Sequence, residues 1–131
     1  MGTNYYLHTE VCPHCGRSDE PLHIGKSSAG WCFSLHVYPD KGISTLEDWK
    51  DIWSNPKSVI NDEYSRTVTP EDMLDTIANR YWHGVQNTSH RWLAENYAEI
   101  GPNHLARHAI SEGHCIGHGE GTWDYIVGEF S

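Results

Sequence analysis

The sequence predicts an α+β fold: a small single domain over residues 1 to 131, with an antiparallel sheet, a cysteine-knuckle β-hairpin and two to four short helices. Three observations carry this. Residues 22 to 37 alternate apolar and polar side chains on both sides of a turn cluster, the period of paired strands. Two later stretches open with helix N-terminal signals, at Ser44 and at Thr69. No internal repeat, linker or low-complexity tail divides the 131 residues, a length that suits one domain.

In chain order, residues 3 to 11 read as a first strand, with Tyr6 and His8 on one side and Tyr5 and Leu7 on the other. Cys12 and Cys15 follow as a Cys-x-x-Cys knuckle, and Gly16 lets the backbone turn its amides toward the sulfurs. The hairpin comes next, over residues 21 to 38, turning through residues 27 to 30. Lys26 opposite Trp31 would set Ile24 against Phe33 and Leu22 against Leu35, leaving His23, Cys32 and His36 on the other face. Ser44 and Glu47 form a capping box for a helix with Leu46, Trp49, Ile52 and Trp53 inward, ended by Asn55 and Pro56. Residues 57 to 61 and 63 to 68 read as short strands turning through Asn61 and Asp62. Thr69 caps a second helix with Pro70 at its first position, and Met73, Leu74, Ile77, Ala78 and Tyr81 form its apolar stripe. Residues 83 to 90 are a polar loop. Residues 91 to 99 and 103 to 110 are expected to be further helices, separated by Gly101 and Pro102. Residues 113 to 121 read as a glycine- and histidine-rich loop, and residues 122 to 127 as a last strand.

Composition narrows the function classes. Eighteen acids against nine bases give a net charge of -9, which argues against a surface that grips nucleic acid phosphates and is compatible with a basic protein partner. No apolar stretch is long enough to span a membrane, and the first residues lack the basic start and apolar run of a secretory signal. A cytoplasmic location is the expectation, and there a Cys-x-x-Cys pair points to metal or redox chemistry. Redox use fits poorly, because no helical pattern starts after Cys15. Two thiolates separated by two residues fit one half of a tetrahedral Zn2+ site. The expected ligand set is Cys12, Cys15, His23 and His36, with Cys32 as an alternative to one of the histidines.

Ten histidines exceed what one such site uses. His104 and His108 are four apart and would share a face of a helix, and His114, His118 and Glu120 follow in the loop. Three histidines around a metal-bound water, with Glu120 as base, would describe a catalytic centre. No established hydrolase spacing such as His-Glu-x-x-His is present. Gly25, Lys26 and Ser27 echo the end of a phosphate-binding loop, but Glu20 stands where its first glycine belongs, which leaves Lys26, Ser27 and Ser28 as an anion contact. An anionic small ligand at the hairpin tip remains a third reading.

The opening residues 1 to 7, the knuckle with Gly16 and Arg17, the stretch from 22 to 36 and the stretch from 117 to 124 resemble, end to end, a group of small proteins encoded by tailed bacteriophages and prophages. The resemblance implies an origin rather than a mechanism: expression in a bacterial host cytoplasm, and action by binding a host or phage protein, including a defence component. The leading expectation is therefore a non-enzymatic, zinc-stabilised protein that acts through a protein partner. A small metal-dependent hydrolase or nuclease using the C-terminal histidines, and a binder of small anionic ligands, are the alternatives.

Overall fold

The computed structural model describes residues 2–9, 21–81, 89–108, 115–118, 121, 123–128 and 130. The α+β expectation holds. The strands are β1 (Gly2–His8), β2 (Leu22–Ser28), β3 (Phe33–Val37), β4 (Val59–Asp62), β5 (Thr67–Val68), β6 (Ala98–Ile100), β7 (Ala106–His108), β8 (Cys115–His118) and β9 (Trp123–Val127). The helices are α1 (Leu46–Trp53), α2 (Pro70–Ala78) and α3 (His90–Glu95). Seven strands form one sheet in the order β5-β4-β1-β2-β3-β9-β8, and β6 with β7 form a second.

The large sheet is antiparallel, as expected, except where β3 and β9 run parallel, which makes it mixed. A parallel pair needs a long crossover. Between β3 and β9 the described residues alone include three α-helices and five strands, ample length for one. All five residues of β3 are buried, as expected for a central strand covered on both faces. The core gathers Leu7, Ile24, Phe33, Leu35 and Ile60 of the sheet under Leu46, Trp49 and Trp53 of α1 and Met73 and Ile77 of α2. The small sheet joins the large one beside β3: Trp31 bridges Ala106, and the Cys32 amide donates to the Ala106 carbonyl at 3.0 Å.

Several local expectations are corrected, each for a visible reason. The N-cap of α1 is Thr45 rather than Ser44, because the Asp48 carboxylate accepts both the Ser44 and Thr45 amides while Thr45 Oγ1 accepts the Asp48 amide. Asn61 and Asp62 lie in β4, and the turn comes after them. There Asp62 accepts the amides of Tyr64 and Arg66 and the Arg66 Nε–H, with Ser65 at φ 64°. α2 ends at Ala78, so Tyr81 is outside the stripe and half exposed. α3 stops at Glu95; Tyr97 at φ 51° turns the chain into β6 instead of continuing a helix to 99. Over 103–108, the described part of the helix expected at 103 to 110, the chain instead turns and forms β7. Asn103 and His104 both sit at φ 60°, in the left-handed region that breaks a right-handed helix, and the Gly101 amide donates to the Leu105 carbonyl to close the β6–β7 hairpin. Residues 115–118, read as loop, form β8.

Candidate metal centre

A β-bulge makes the site. Residues Gly2 to Tyr5 of β1 pair with Ser28 to Gly25 of β2, then Tyr6 pairs with His23 and Leu7 with Leu22, so Ile24 is the extra residue. The hairpin register also differs from the expected one: Gly25 faces Leu35 and Lys26 faces Ser34, not Trp31. Continued without interruption, that register would set His23 opposite Val37, on the helix-covered side. The bulge instead turns both Ile24 and Gly25 inward, where both are buried, and sends His23 to the other face with Asn4, Tyr6 and His36. Glycine at 25 is required, since a Cβ there would collide with the Ser34 carbonyl and the Phe33 ring.

His23 and His36 then meet. Their Nδ1 atoms are 3.0 Å apart. His23 Nε2 lies 2.8 Å from Asn4 Oδ1, which can only accept, so the His23 proton is on Nε2 and its Nδ1 is unprotonated. The proton between the two rings therefore belongs to His36 Nδ1. Tyr38 stacks on the His36 ring with centroids 4.1 Å apart, donates its hydroxyl to the His23 carbonyl at 2.9 Å, and holds its oxygen 3.2 Å from His36 Nδ1. Behind the strand, buried Trp49 donates its Nε1–H to the His36 carbonyl at 2.8 Å. Asn4 is itself fixed from β4, its amide donating to Glu63 Oε1 at 2.8 Å. Burial, then the neighbouring His36 imidazole, lowers the His23 pKa to about 4. The ring is neutral at physiological pH, the state a metal ligand needs.

The pair lies at an open cleft of about 960 Å³, whose walls include Tyr6, Pro21, Tyr38, Lys41 and Phe130. Phe130 covers both imidazoles, with ring centroids 4.8 Å from His23 and 5.1 Å from His36. Cys12 and Cys15 lie outside the described residues. The segment that carries them leaves the described chain at Thr9, just after β1, and returns at Pro21, on the cleft wall. Among the described residues no three His, Cys, Asp or Glu side chains cluster as a metal site, so the described part supplies two candidate ligands.

Cys32, the alternative ligand, is elsewhere. It is four residues from His36, roughly 13 Å along extended chain, and it is a buried free thiol. Burial, then the Asp124 carboxylate, pushes its pKa up to about 12, so it stays a thiol. Asp124 is fully buried and accepts the His108 amide at 2.9 Å, with Arg107 Nε 3.5 Å away.

The C-terminal histidines do not share the helix face expected of them. His104 sits at the Asn103 kink with its ring edge-on to Tyr81, and His108 stacks on Trp31 from β7, centroids 4.9 Å apart. His118 lies in β8 opposite Asp124, its side chain undescribed; His114 and Glu120 lie outside the described residues. At the hairpin tip, Ser27 Oγ and the Ser28 carbonyl both accept from the Arg80 guanidinium, so these groups are already engaged, while Lys26 lies within β2. Sequence reasoning missed Asn4, Tyr38 and Phe130 as partners of the pair. Strand alternation does place Asn4 on the Tyr6 side of β1, which was the available signal. No helix of the described residues is long and apolar enough to cross a membrane. No family model, curated protein or solved structure matches the chain.

Proposed function

We propose that this is a zinc-binding protein whose metal is structural, held by Cys12, Cys15, His23 and His36, and that it acts by binding a protein partner. One observation carries the metal: two imidazole nitrogens converge at 3.0 Å, one of them unprotonated because Asn4 accepts the proton on the opposite nitrogen. Two nitrogens bound to one tetrahedral zinc at 2.0–2.1 Å would stand about 3.3 Å apart, so the pair is within a few tenths of an ångström of ligating geometry. The His23–Asn4 contact is the kind of outer hydrogen bond that orients a metal-bound imidazole. The donor types complete a closed Cys2His2 set, which leaves no open position for substrate. Zinc would supply cross-linking of the 10–20 segment to β2 and β3; Asn4, Tyr38 and Phe130 orient and shield the histidines.

The partner reading is supported by the acidic excess and by large exposed side chains, Tyr64 and Tyr97 being 61% and 70% exposed. The resemblance to phage proteins supports a host or phage protein as that partner. Metal analysis of protein purified without added chelator tests the first half. About one zinc per chain, lost together with the fold in Cys12→Ser, is the expected result; a metal-free protein that stays folded would sink the proposal. Co-purification of one host protein at fixed stoichiometry tests the second half.

A further inference from the structure

α1 and α2 leave a groove between them on the helix-covered side of the sheet, away from the histidine pair. Its lining is Lys50, Trp53 and Ser54 from the end of α1 and Pro70, Glu71 and Leu74 from α2, around a volume of about 220 Å³. That is room for one large aliphatic or aromatic side chain. Trp53 is 5% exposed, and its Nε1–H is buried without a hydrogen-bond partner among the described residues.

The rim is acidic beyond what helix chemistry requires. Glu47, Glu71 and Asp72 sit in first turns, where carboxylates favour the helix dipole. Asp51 lies in the last turn of α1, where the dipole disfavours it, and Asp75 stands past the first turn of α2, where one of its oxygens accepts from the Asn79 side chain at 2.7 Å; both are exposed. Asp51 is one turn from groove residue Ser54, and Asp75 one turn from Glu71. The cation at the groove, Lys50, is paired with Glu47 at 3.5 Å. We propose that this groove docks a basic protein segment, which inserts one large apolar side chain between α1 and α2 and sets its arginines or lysines against Asp51, Glu71 and Asp75. The inference rests on the reading that the protein acts through a protein partner, and names that partner's chemistry.

The test is an NMR titration of the full chain with a capped nonapeptide, leucine at its centre and arginines on both sides. Expected are saturable shifts of the Trp53 indole N–H and of the amides of Ser54, Glu71 and Leu74. Replacing the peptide leucine by serine should weaken binding about tenfold, as removal of a partly buried leucine side chain does. Glu71→Lys with Asp75→Lys should weaken it similarly; if that variant fails to fold, Asp51→Lys alone makes the comparison. The inference is overturned by shifts elsewhere, by no shift at millimolar peptide, by equal binding of the serine peptide, or by charge-reversed protein that binds as well as wild type. Co-purification from expressing bacteria separates the two claims. A chain that captures one protein at fixed stoichiometry while the groove stays silent defeats this inference alone, and one whose groove binds the peptide but that captures no protein defeats only the partner reading.

Discussion

Asn4→Ala isolates the feature on which the metal centre depends. The substitution removes the Oδ1 that accepts the His23 Nε2–H at 2.8 Å and leaves the backbone of β1 paired on both sides. In metal-free protein, a half-buried imidazole N–H loses its partner, a cost of about 1–3 kcal/mol. In zinc-loaded protein the tautomer is no longer held with Nδ1 unprotonated, and loss of such an outer hydrogen bond weakens metal affinity about 10–100-fold. Competition with a chromophoric chelator measures the affinity, and urea unfolding of the apo protein measures the stability. Asn4→Asp keeps an acceptor at the same place and should retain most of the affinity. Zinc affinity within about twofold of wild type in Asn4→Ala, a factor worth only about 0.4 kcal/mol, would refute the reasoning that the Asn4 bond prepares His23 for a metal.

Three further outcomes follow from other contacts. Trp49→Phe removes the Nε1–H donated to the His36 carbonyl and should destabilise the protein by about 2–4 kcal/mol in urea unfolding, the orphaned carbonyl and the smaller ring both contributing. Asp124→Ala removes the buried carboxylate that accepts the His108 amide and faces Arg107 Nε at 3.5 Å, and should cost about 3 kcal/mol; a change under about 0.5 kcal/mol would show that this group does not tie the two sheets together. Cys32 gives a pH dependence. Its folded pKa of about 12 lies above the ordinary 9.0, so between those values the unfolded chain loses a proton that the folded chain keeps. Its contribution to stability is fully present below pH 9 and is lost as pH rises toward 12. Alkylation of native protein at pH 8.5, mapped by peptide mass, should spare Cys32 until denaturant is added.

What the sequence showed well was whatever depends on short-range pattern. Thr69 with Pro70 marked the start of α2, and the alternation from Phe33 to Val37 marked the central strand. The α1 cap was misplaced by one residue because Ser44 with Glu47 and Thr45 with Asp48 are equivalent on paper, and the choice falls to which start buries Trp49 and Trp53. Register was the weakest point. Lys26 pairs with Ser34, three residues from the expected Trp31, an odd shift that reverses faces, and the bulge at Ile24 that returns His23 to the His36 face has no distinctive residue beyond the adjacent Gly25. His23 and His36 were expected on one face through a register that the structure does not have, and they meet there through the bulge instead. The parallel return of β9 to β3 was invisible for a related reason: which strand a final segment joins is decided by packing over nearly the whole chain. The i, i+4 spacing of His104 and His108 misled because it assumes a helix, and Asn103 and His104 at positive φ are set by the β6–β7 hairpin they close.

X-ray absorption at the zinc edge of the purified protein tests the central claim most directly, since it reads ligand type and distance without relying on any described residue. Cys12, Cys15, His23 and His36 on one ion predict two sulfur scatterers near 2.3 Å and two imidazole nitrogens near 2.0 Å, with one imidazole lost in His23→Ala. An all-nitrogen and oxygen shell, or a spectrum unchanged in His23→Ala, would contradict the account.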